Sequence, residues 1–184
     1  SHNVTGRTST VFDRQGNATQ YVYDERGNVV ARTDPLGRTT LETYDDRNNP
    51  TSMTDPLGNT VKLEYDASSR LMAFTDPLGN RALVTYDSGG RPTSITDAFG
   101  NVSTNVYDAQ GRLVSTANPL GQSRGIAYDG AGRLSGFFDA TGNVALKLEY
   151  DGAGNATRAT STTGAPVDYT YDGQGHPLTK QYQW

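Results

Sequence analysis

The chain offers two histidines, His2 and His176, as candidates for acid–base or nucleophilic chemistry, and it contains no cysteine. A catalytic histidine needs a second titratable or nucleophilic group beside it. His2 is terminal, and His176 stands where similar segments of the chain carry a turn Arg or Asn. We therefore interpret His176 as a turn residue, and we predict no enzyme activity and no cofactor.

Aspartate follows tyrosine at eight places, and such a ladder of carboxylates could be imagined as a set of metal ligands. Its spacing matches neither the EF-hand loop nor the glycine-rich calcium repeat. Aspartate at the start of a turn is explained by its side chain, which accepts hydrogen bonds from backbone N–H groups further along. The pair Asp45-Asp46 recurs in no other copy and is interpreted as solvated turn residues. We predict no metal site.

The tyrosines of these pairs allow two interpretations. The first interpretation is a carbohydrate-binding surface, because aromatic faces stack on sugars. One tyrosine per copy, placed among alternating apolar residues, is more typical of packing inside the structure. We assign them as structural residues of the core: Tyr23, Tyr44, Tyr65, Tyr86, Tyr107, Tyr128, Tyr150 and Tyr171.

The elements that must position these residues form a repeat. Seven intervals separate the eight Tyr-Asp pairs; six are 21 residues long, and the step from Tyr128 to Tyr150 is 22. A fixed short period is the signature of a repeat architecture. The sequence predicts one array over residues 1–184, of about eight repeats, which is a piece of a larger protein.

Each repeat contains two predicted turns. Asp76-Pro77-Leu78-Gly79 has Asp first, Pro second and Gly fourth, which favours a type I turn closed by a left-handed glycine. Asn48 and Ser69 replace the turn glycine in two copies, and we expect both to adopt the left-handed conformation. The glycines assigned to turns are Gly37, Gly58, Gly79, Gly111 and Gly132.

Between turns lie seven or eight residues whose apolar side chains alternate with polar ones, as in Val61, Leu63 and Tyr65. This period of two predicts half-buried strands. The fold class is therefore all-β: an antiparallel meander of about sixteen short strands, two per repeat, forming a curved or spiralling sheet. Neighbouring repeats must cover each other, because a single two-stranded unit cannot bury its apolar face.

The odd period imposes a constraint on register. With three unpaired residues in both turns, an odd repeat would move each tyrosine to the opposite face of the sheet from the last. Some device must therefore restore parity in each repeat, either a bulge or one turn with an even-length loop. We predict that this parity shift lies between Leu71 and Phe74 and their equivalents, with Leu71 opposite Tyr65 and Phe74 opposite Ala82. A second irregularity is expected within Gly142 to Tyr150. Pairs such as Asp66–Arg70 are expected across the turn, exposed on the face away from the tyrosines.

Composition excludes several classes of function. The net charge is −4 with acids and bases interspersed, which argues against a nucleic-acid partner. No apolar run is long enough to span a bilayer as a helix, so we expect no membrane insertion. Without cysteine there is no disulfide framework.

The segment Tyr107-Asp108-Ala109-Gln110-Gly111-Arg112-Leu113, with interposed copies of Asp-Pro-Leu-Gly, resembles the YD repeat of the RHS family. The match extends from Asp13 to Gly175, which is nearly the whole chain. The resemblance implies a β-ribbon that forms a section of a hollow shell, in bacterial proteins usually around a C-terminal toxin. It also implies secreted or cell-surface localisation, with type VI secretion effectors and insecticidal toxin complexes among the relatives. The self-cleaving segment that ends many such shells has no counterpart here.

Two functions follow from this resemblance and from the tyrosines. The first is a structural scaffold that encloses a polypeptide cargo, with neighbouring repeats of the same shell as its other partners. The second is a module that binds glycans or a cell-surface partner through exposed aromatics. Bare sheet edges at the ends of the array could also pair with each other, giving edge-to-edge self-association.

Overall fold

The computed structural model describes residues 2–3, 7–162 and 164–183, and in them every regular element is a β-strand. The described part contains no helix long and apolar enough to cross a membrane. The strands are β1 (His2–Asn3), β2 (Thr8–Phe12), β3 (Ala18–Tyr23), β4 (Val29–Thr33), β5 (Thr39–Tyr44), β6 (Pro50–Thr54), β7 (Thr60–Tyr65), β8 (Leu71–Thr75), β9 (Arg81–Tyr86), β10 (Pro92–Thr96), β11 (Val102–Tyr107), β12 (Leu113–Ala117), β13 (Ser123–Tyr128), β14 (Leu134–Asp139), β15 (Val144–Tyr150), β16 (Ala156–Ser161), β17 (Gly164–Tyr171) and β18 (Pro177–Tyr182).

The strands belong to two compact units, Ser1–Asn101 and Val102–Trp184. In the first unit, β1 to β10 pair antiparallel in chain order. In the second unit, β11 to β18 do the same. The predicted all-β antiparallel meander is confirmed. Strands β3 to β18 are the sixteen expected from the Tyr-Asp pairs, and β1 and β2 precede the first pair.

Two kinds of turn alternate along the meander, one at each end of the strands. Tyr–Asp turns follow the eight tyrosines and begin at Asp24, Asp45, Asp66, Asp87, Asp108, Asp129, Asp151 and Asp172. Asp–Pro turns, named after their commonest sequence, begin at Asp13, Asp34, Asp55, Asp76, Asp97, Asn118 and Asp139. In both kinds the fourth residue donates its N–H to the carbonyl of the first, as Gly79 does to Asp76 at 3.0 Å.

The predicted turn conformation is confirmed at the replaced glycines as well. Gly79 has φ +88°, while Asn48 and Ser69 have φ 64° and 59°. These left-handed values strain any residue with a Cβ, less so asparagine, which is why glycine fills most copies.

The predicted parity shift is also confirmed, and a bulge produces it. Tyr65 pairs with Leu71 and Glu64 pairs with Ala73, so Met72 is the extra residue, and Phe74 lies opposite Ala82. The same shift occurs at the Tyr–Asp hairpins generally, whereas the hairpin of Thr33 and Thr39 pairs without one. The expected irregularity within Gly142 to Tyr150 is present, since the register shifts between Val144 and Leu146.

Burial is shallow throughout the described side chains. Ala73 and Ser9 are buried, and no large side chain is fully enclosed. A sheet one layer thick exposes both faces, so its large apolar side chains are at best half-buried. Stability must come from contacts between adjacent strands and turns.

Candidate functional site

Each turn is built on the side chain of its first residue, which is a carboxylate in nearly every copy. In the Asp66 turn, Oδ1 accepts hydrogen bonds from the N–H groups of Ser68 and Arg70, and Oδ2 accepts one from Arg70 Nε at 2.6 Å. In the Asp55 turn the side chain of Asn59 takes the place of the arginine. Both carboxylate oxygens are therefore engaged inside the turn.

These hydrogen bonds stabilise the charged form of the carboxylates. The side-chain amide of Asn59 lowers the pKa of Asp55 below its ordinary value. The pKa of Asp139 falls to about 2, first because the Thr141 hydroxyl donates to it. The cause is capping of the turn in each case.

The tyrosines reach from one repeat to the one before. The phenol of Tyr86 donates to the carbonyl of Leu71 at 2.8 Å. The pairing of β8 with β9 extends only from Ala73 to Thr75, so the Leu71 carbonyl lies beyond the ladder. The phenol thus supplies a hydrogen bond where the strands no longer do. The same bond joins Tyr128 to Leu113, Tyr150 to Leu134, and Tyr171 to Ala156. Tyr44 differs, because its phenol proton is donated to Glu42 at 2.5 Å.

Arginines of the turns complete the contact. The guanidinium of Arg70 lies 4.9 Å from the ring centre of Tyr86 and donates to the carbonyl of Asp87 at 3.3 Å. Arg133 contacts Tyr150 and Asp151 in the same way, at 4.5 Å and 3.2 Å. A cation over an aromatic face is favourable, more so when partly desolvated. We call the set of turn arginine, next tyrosine and the two carbonyls the inter-repeat clasp.

In the first repeats an arginine reaches the next turn's carbonyl from a different position. Arg26 and Arg47 stand third in their turns, and they donate to the carbonyls of Asp45 and Asp66 at 2.6 and 2.7 Å. Asn28 then occupies the place of the closing arginine and donates to Asn48 of the next turn. The guanidinium therefore reaches the same acceptor from two sequence positions.

The sequence-assigned residues lie at this site or at the turns. All eight assigned tyrosines are half-buried. The assigned turn glycines all have positive φ: Gly37, Gly58, Gly79, Gly111 and Gly132. That the stability of the array depends on these residues stays a prediction.

One sequence prediction about the clasp is wrong. The Asp–Arg pairs are predicted on the face away from the tyrosines, but Arg70, Arg112 and Arg133 contact tyrosine rings. The arginine of one repeat lies sixteen residues before the tyrosine that it contacts in two of these pairs, Arg70–Tyr86 and Arg112–Tyr128. The recurrence of that spacing is the signal that could have predicted the clasp.

The remaining candidates for chemistry are accounted for by turns. His176 Nδ1 lies 2.9 Å from Asp172 of its own turn, in the place that Arg or Asn takes elsewhere. Within the described residues, no group of three or more His, Asp or Glu side chains could hold a metal ion. Asp46 and Glu25 project from their turns, with side chains 113% and 87% exposed.

Comparison with protein families gives a match to the RHS Repeat at residues 2–39, 44–81, 65–102 and 107–136. Comparison with the curated proteins gives no match.

Among solved structures, the chain is similar to parts of three much longer chains. TcdB2-TccC3 is 15% identical, with a TM-score of 0.47 over 96% of this chain and 13% of that one. TcdB2-TccC3 without its hypervariable C-terminal region is 16% identical, with a TM-score of 0.49 over 94% and 12%. The Photorhabdus luminescens Tc holotoxin pore is 16% identical, with a TM-score of 0.46 over 94% and 12%. The chain spans about one eighth of the length of these proteins.

Proposed function

The chain belongs to the RHS repeat family, and from this premise we propose that it is a non-catalytic section of a shell that encloses a polypeptide cargo. The cargo is a toxin domain or another polypeptide of the same protein system. The repeats then form the shell itself, and each repeat contacts the neighbouring repeats of the same shell. The protein that carries them is secreted or displayed on the bacterial surface. The comparisons give no support to a type VI route.

The observation that carries the proposal is the inter-repeat clasp. A shell must keep consecutive strands in register although it has little core. The clasp ties neighbouring repeats together through backbone carbonyls, which any sequence provides, as at Arg70 and Arg133. The recurring turn residues therefore serve to hold the strands in place. The carboxylates cap their own turns, which leaves their oxygens engaged rather than free for catalysis.

The glycan-binding alternative depends on exposed aromatic faces. One ring face of Tyr86, Tyr128 and Tyr150 is occupied by an arginine, and the rings are half-buried. A sugar would have to displace the guanidinium or use the opposite face. The geometry therefore favours the scaffold.

Protease protection in the full-length protein that carries these repeats tests the proposal. Its enclosed polypeptide should resist limited proteolysis, and Arg70→Ala, Arg112→Ala and Arg133→Ala together should make it sensitive by loosening the wall. The matched control, Arg14→Ala with Arg38→Ala and Arg124→Ala, removes the same charge and should leave protection intact, because none of these arginines takes part in a clasp.

Equal protease sensitivity of the enclosed polypeptide in the unaltered protein and in a shell-free form would overturn the scaffold. Specific retention of the isolated repeats on immobilised glycans, lost in Tyr128→Ala, would favour the binding module instead.

A further inference from the structure

One cleft of the second unit is lined by polar side chains and a single cation. It has a volume of about 300 Å³, lies beside the Asn118 turn, and is lined by Ser103, Thr116, Gln122 and Arg124 among others. We call it the Arg124 cleft. Its lining contains no carboxylate.

Three of these side chains project from the same face of the sheet. Thr116 pairs directly with Arg124, and Asn105 pairs directly with Thr116. Residues directly opposite on antiparallel strands share a face, as do residues two apart on one strand, so Ser103 lies on the face of Thr116 and Arg124. Within the described residues, neither hydroxyl has a hydrogen-bond partner and the guanidinium has no ion pair. Their donors are therefore available to a ligand.

The turn beside the cleft adds donors and no negative charge. Asn118 Oδ1 accepts the backbone N–H of Gln122 at 3.0 Å, so its Nδ2 is left to donate to Gln122 Oε1, at 2.8 Å. The side-chain Nε2 of Gln122 then has no acceptor in the part of the chain that the structure describes. In the other Asp–Pro turns the closing side chain is an Asn or Arg that donates to a capping carboxylate, as Asn59 does to Asp55.

The arginine and the neutral turn are both departures from the repeat pattern. Six residues after the first residue of the other Asp–Pro turns stand Thr19, Thr40, Val61, Ala82, Ser103 and Ala145. Only Arg124 places a cation at that position. Among the described turns, only the one that Arg124 follows begins with a residue other than aspartate. Two rare replacements at one cleft indicate a shared role.

A cleft of the first unit shows the effect of the usual capping residue. It has a volume of about 490 Å³, and its lining includes Arg32 and Thr40, which pair directly across β4 and β5. Asp34 and Asp55 line it as well. An anion in that cleft would meet two carboxylates, which repel it. The Arg124 cleft has the same pairing of arginine with threonine and lacks these charges.

The surrounding charge restricts the ligand to a single negative charge. Asp139 lies opposite Arg124 on β14, outside the lining of the cleft. Its carboxylate accepts hydrogen bonds from Thr141 and Asn143 of its own turn. Its charge disfavours a dianion such as hydrogen phosphate more than a monoanion. A carboxylate also matches the planar fork of the guanidinium.

We propose that the Arg124 cleft binds a carboxylate group, carried by an acidic side chain of a polypeptide or by a small organic acid. The guanidinium of Arg124 donates to the carboxylate oxygens, and the hydroxyls of Ser103 and Thr116 and the amide of Gln122 supply further donors. The inference does not depend on what the shell encloses, so it can fail while the proposed function holds.

NMR titration of the chain is the first test, with sodium acetate, with the blocked peptide acetyl-Gly-Glu-Gly-amide and with its Gln counterpart. Acetate should shift the Arg124 Nε–H resonance saturably, with a dissociation constant on the order of millimolar, and leave Arg32 Nε–H in place. Tighter binding of the Glu peptide than of acetate supports a polypeptide ligand, and weaker binding supports a small organic acid. No shift at Arg124, equal shifts at Arg32, equal binding of the Gln peptide or tighter binding of sulfate overturns the proposal.

Two substitutions separate loss of the ligand from loss of the fold. Arg124→Gln removes the cation, and Asn118→Asp restores the capping carboxylate that the other turns carry. Each should weaken acetate binding at least about tenfold. The thermal midpoint of Asn118→Asp should not fall, because aspartate caps the equivalent turns. The matched control Arg32→Gln should bind acetate as before. Undiminished binding in Asn118→Asp, or an equal loss in Arg32→Gln, contradicts the proposed site.

Discussion

The two ends of the strands are closed by turns with the same internal hydrogen bonds and different surroundings. At the Tyr–Asp turns, tyrosine phenols and arginines connect neighbouring repeats, as Arg70 with Tyr86 and Arg133 with Tyr150 do. At the Asp–Pro turns of the described residues, no hydrogen bond connects one turn to its neighbour, and the apolar third residues face solvent. Both kinds carry the capping side chain at the first residue and the left-handed fourth residue.

This difference shows that the hydrogen bonds that close a turn and the contacts that hold one repeat to another are separate properties. A capped turn fixes the register of one hairpin, and this is common to both ends. Holding hairpin to hairpin takes side chains that reach a further strand. The phenols and arginines of the Tyr–Asp turns do so, and Arg81 at the start of β9 does so by donating to Glu64. Predictions that act on one end and spare the other therefore separate the two properties.

Acid should have the largest effect, because it removes what the two ends share. The capping carboxyls have pKa values below the ordinary 3.8, about 2 for Asp139. A depressed folded-state pKa contributes stability above the unfolded-state value that is lost as pH falls through the folded one. The thermal midpoint should therefore be level down to about pH 4 and fall steadily towards pH 2. In Asp139→Asn the part due to this turn should vanish, since Asn118 caps its own turn without titrating.

Tyr128→Ala should be the most damaging single substitution at either end of the strands. It removes a half-buried ring, the contact with Arg112 and the hydrogen bond to Leu113, and we expect a loss of about 2–4 kcal/mol in the free energy of unfolding. Leu120→Ala, at an Asp–Pro turn and 81% exposed, should change it by less than about 0.5 kcal/mol. Urea denaturation measures both, and similar losses at the two positions would contradict the contrast between the ends.

Arg133→Ala should cost about 1–2 kcal/mol, because the guanidinium contacts Tyr150 and donates to a backbone carbonyl of the next repeat. Arg38→Ala is the matched control at an Asp–Pro turn. Arg38 pairs with Asp34 of its own turn, and its side chain is 63% exposed, so its loss should be close to neutral. If the two variants unfold at the same urea concentration, the arginine adds nothing beyond its own turn.

Glycine substitutions should show the smallest difference between the ends. Gly79 and Gly90 have φ +88° and +82°, so Ala at either should cost about 1–2 kcal/mol of strain. A Cβ at Gly79 meets nothing within 4 Å, whereas at Gly90 it would lie 3.1 Å from Arg70 Nη1. Gly90→Ala should therefore lower the midpoint of urea unfolding slightly further than Gly79→Ala, and the reverse order would argue against a clasp at Arg70.

Much of the fold could be predicted from the sequence because it follows from local chemistry and parity. The turn composition specifies where each hairpin closes, and the alternation of Val61, Leu63 and Tyr65 specifies the strands. The odd period then requires a parity shift in each repeat, which the structure makes with a bulge at Met72. These features depend on residues within one or two adjacent strands. The sequence repeats them so many times that a chance pattern is excluded.

What only the tertiary structure decided is how one repeat contacts the next. Arg26 and Arg70 stand at different turn positions yet reach equivalent carbonyls, because a long flexible side chain can span the same gap from either place. The exposure of Leu57 likewise could not be predicted from the sequence, because leucine side chains are usually buried. Local propensity depends on the backbone of a few residues. The environment of a side chain depends on which residues of the neighbouring repeat contact it. Those contacts form only when the strands pair in the folded sheet.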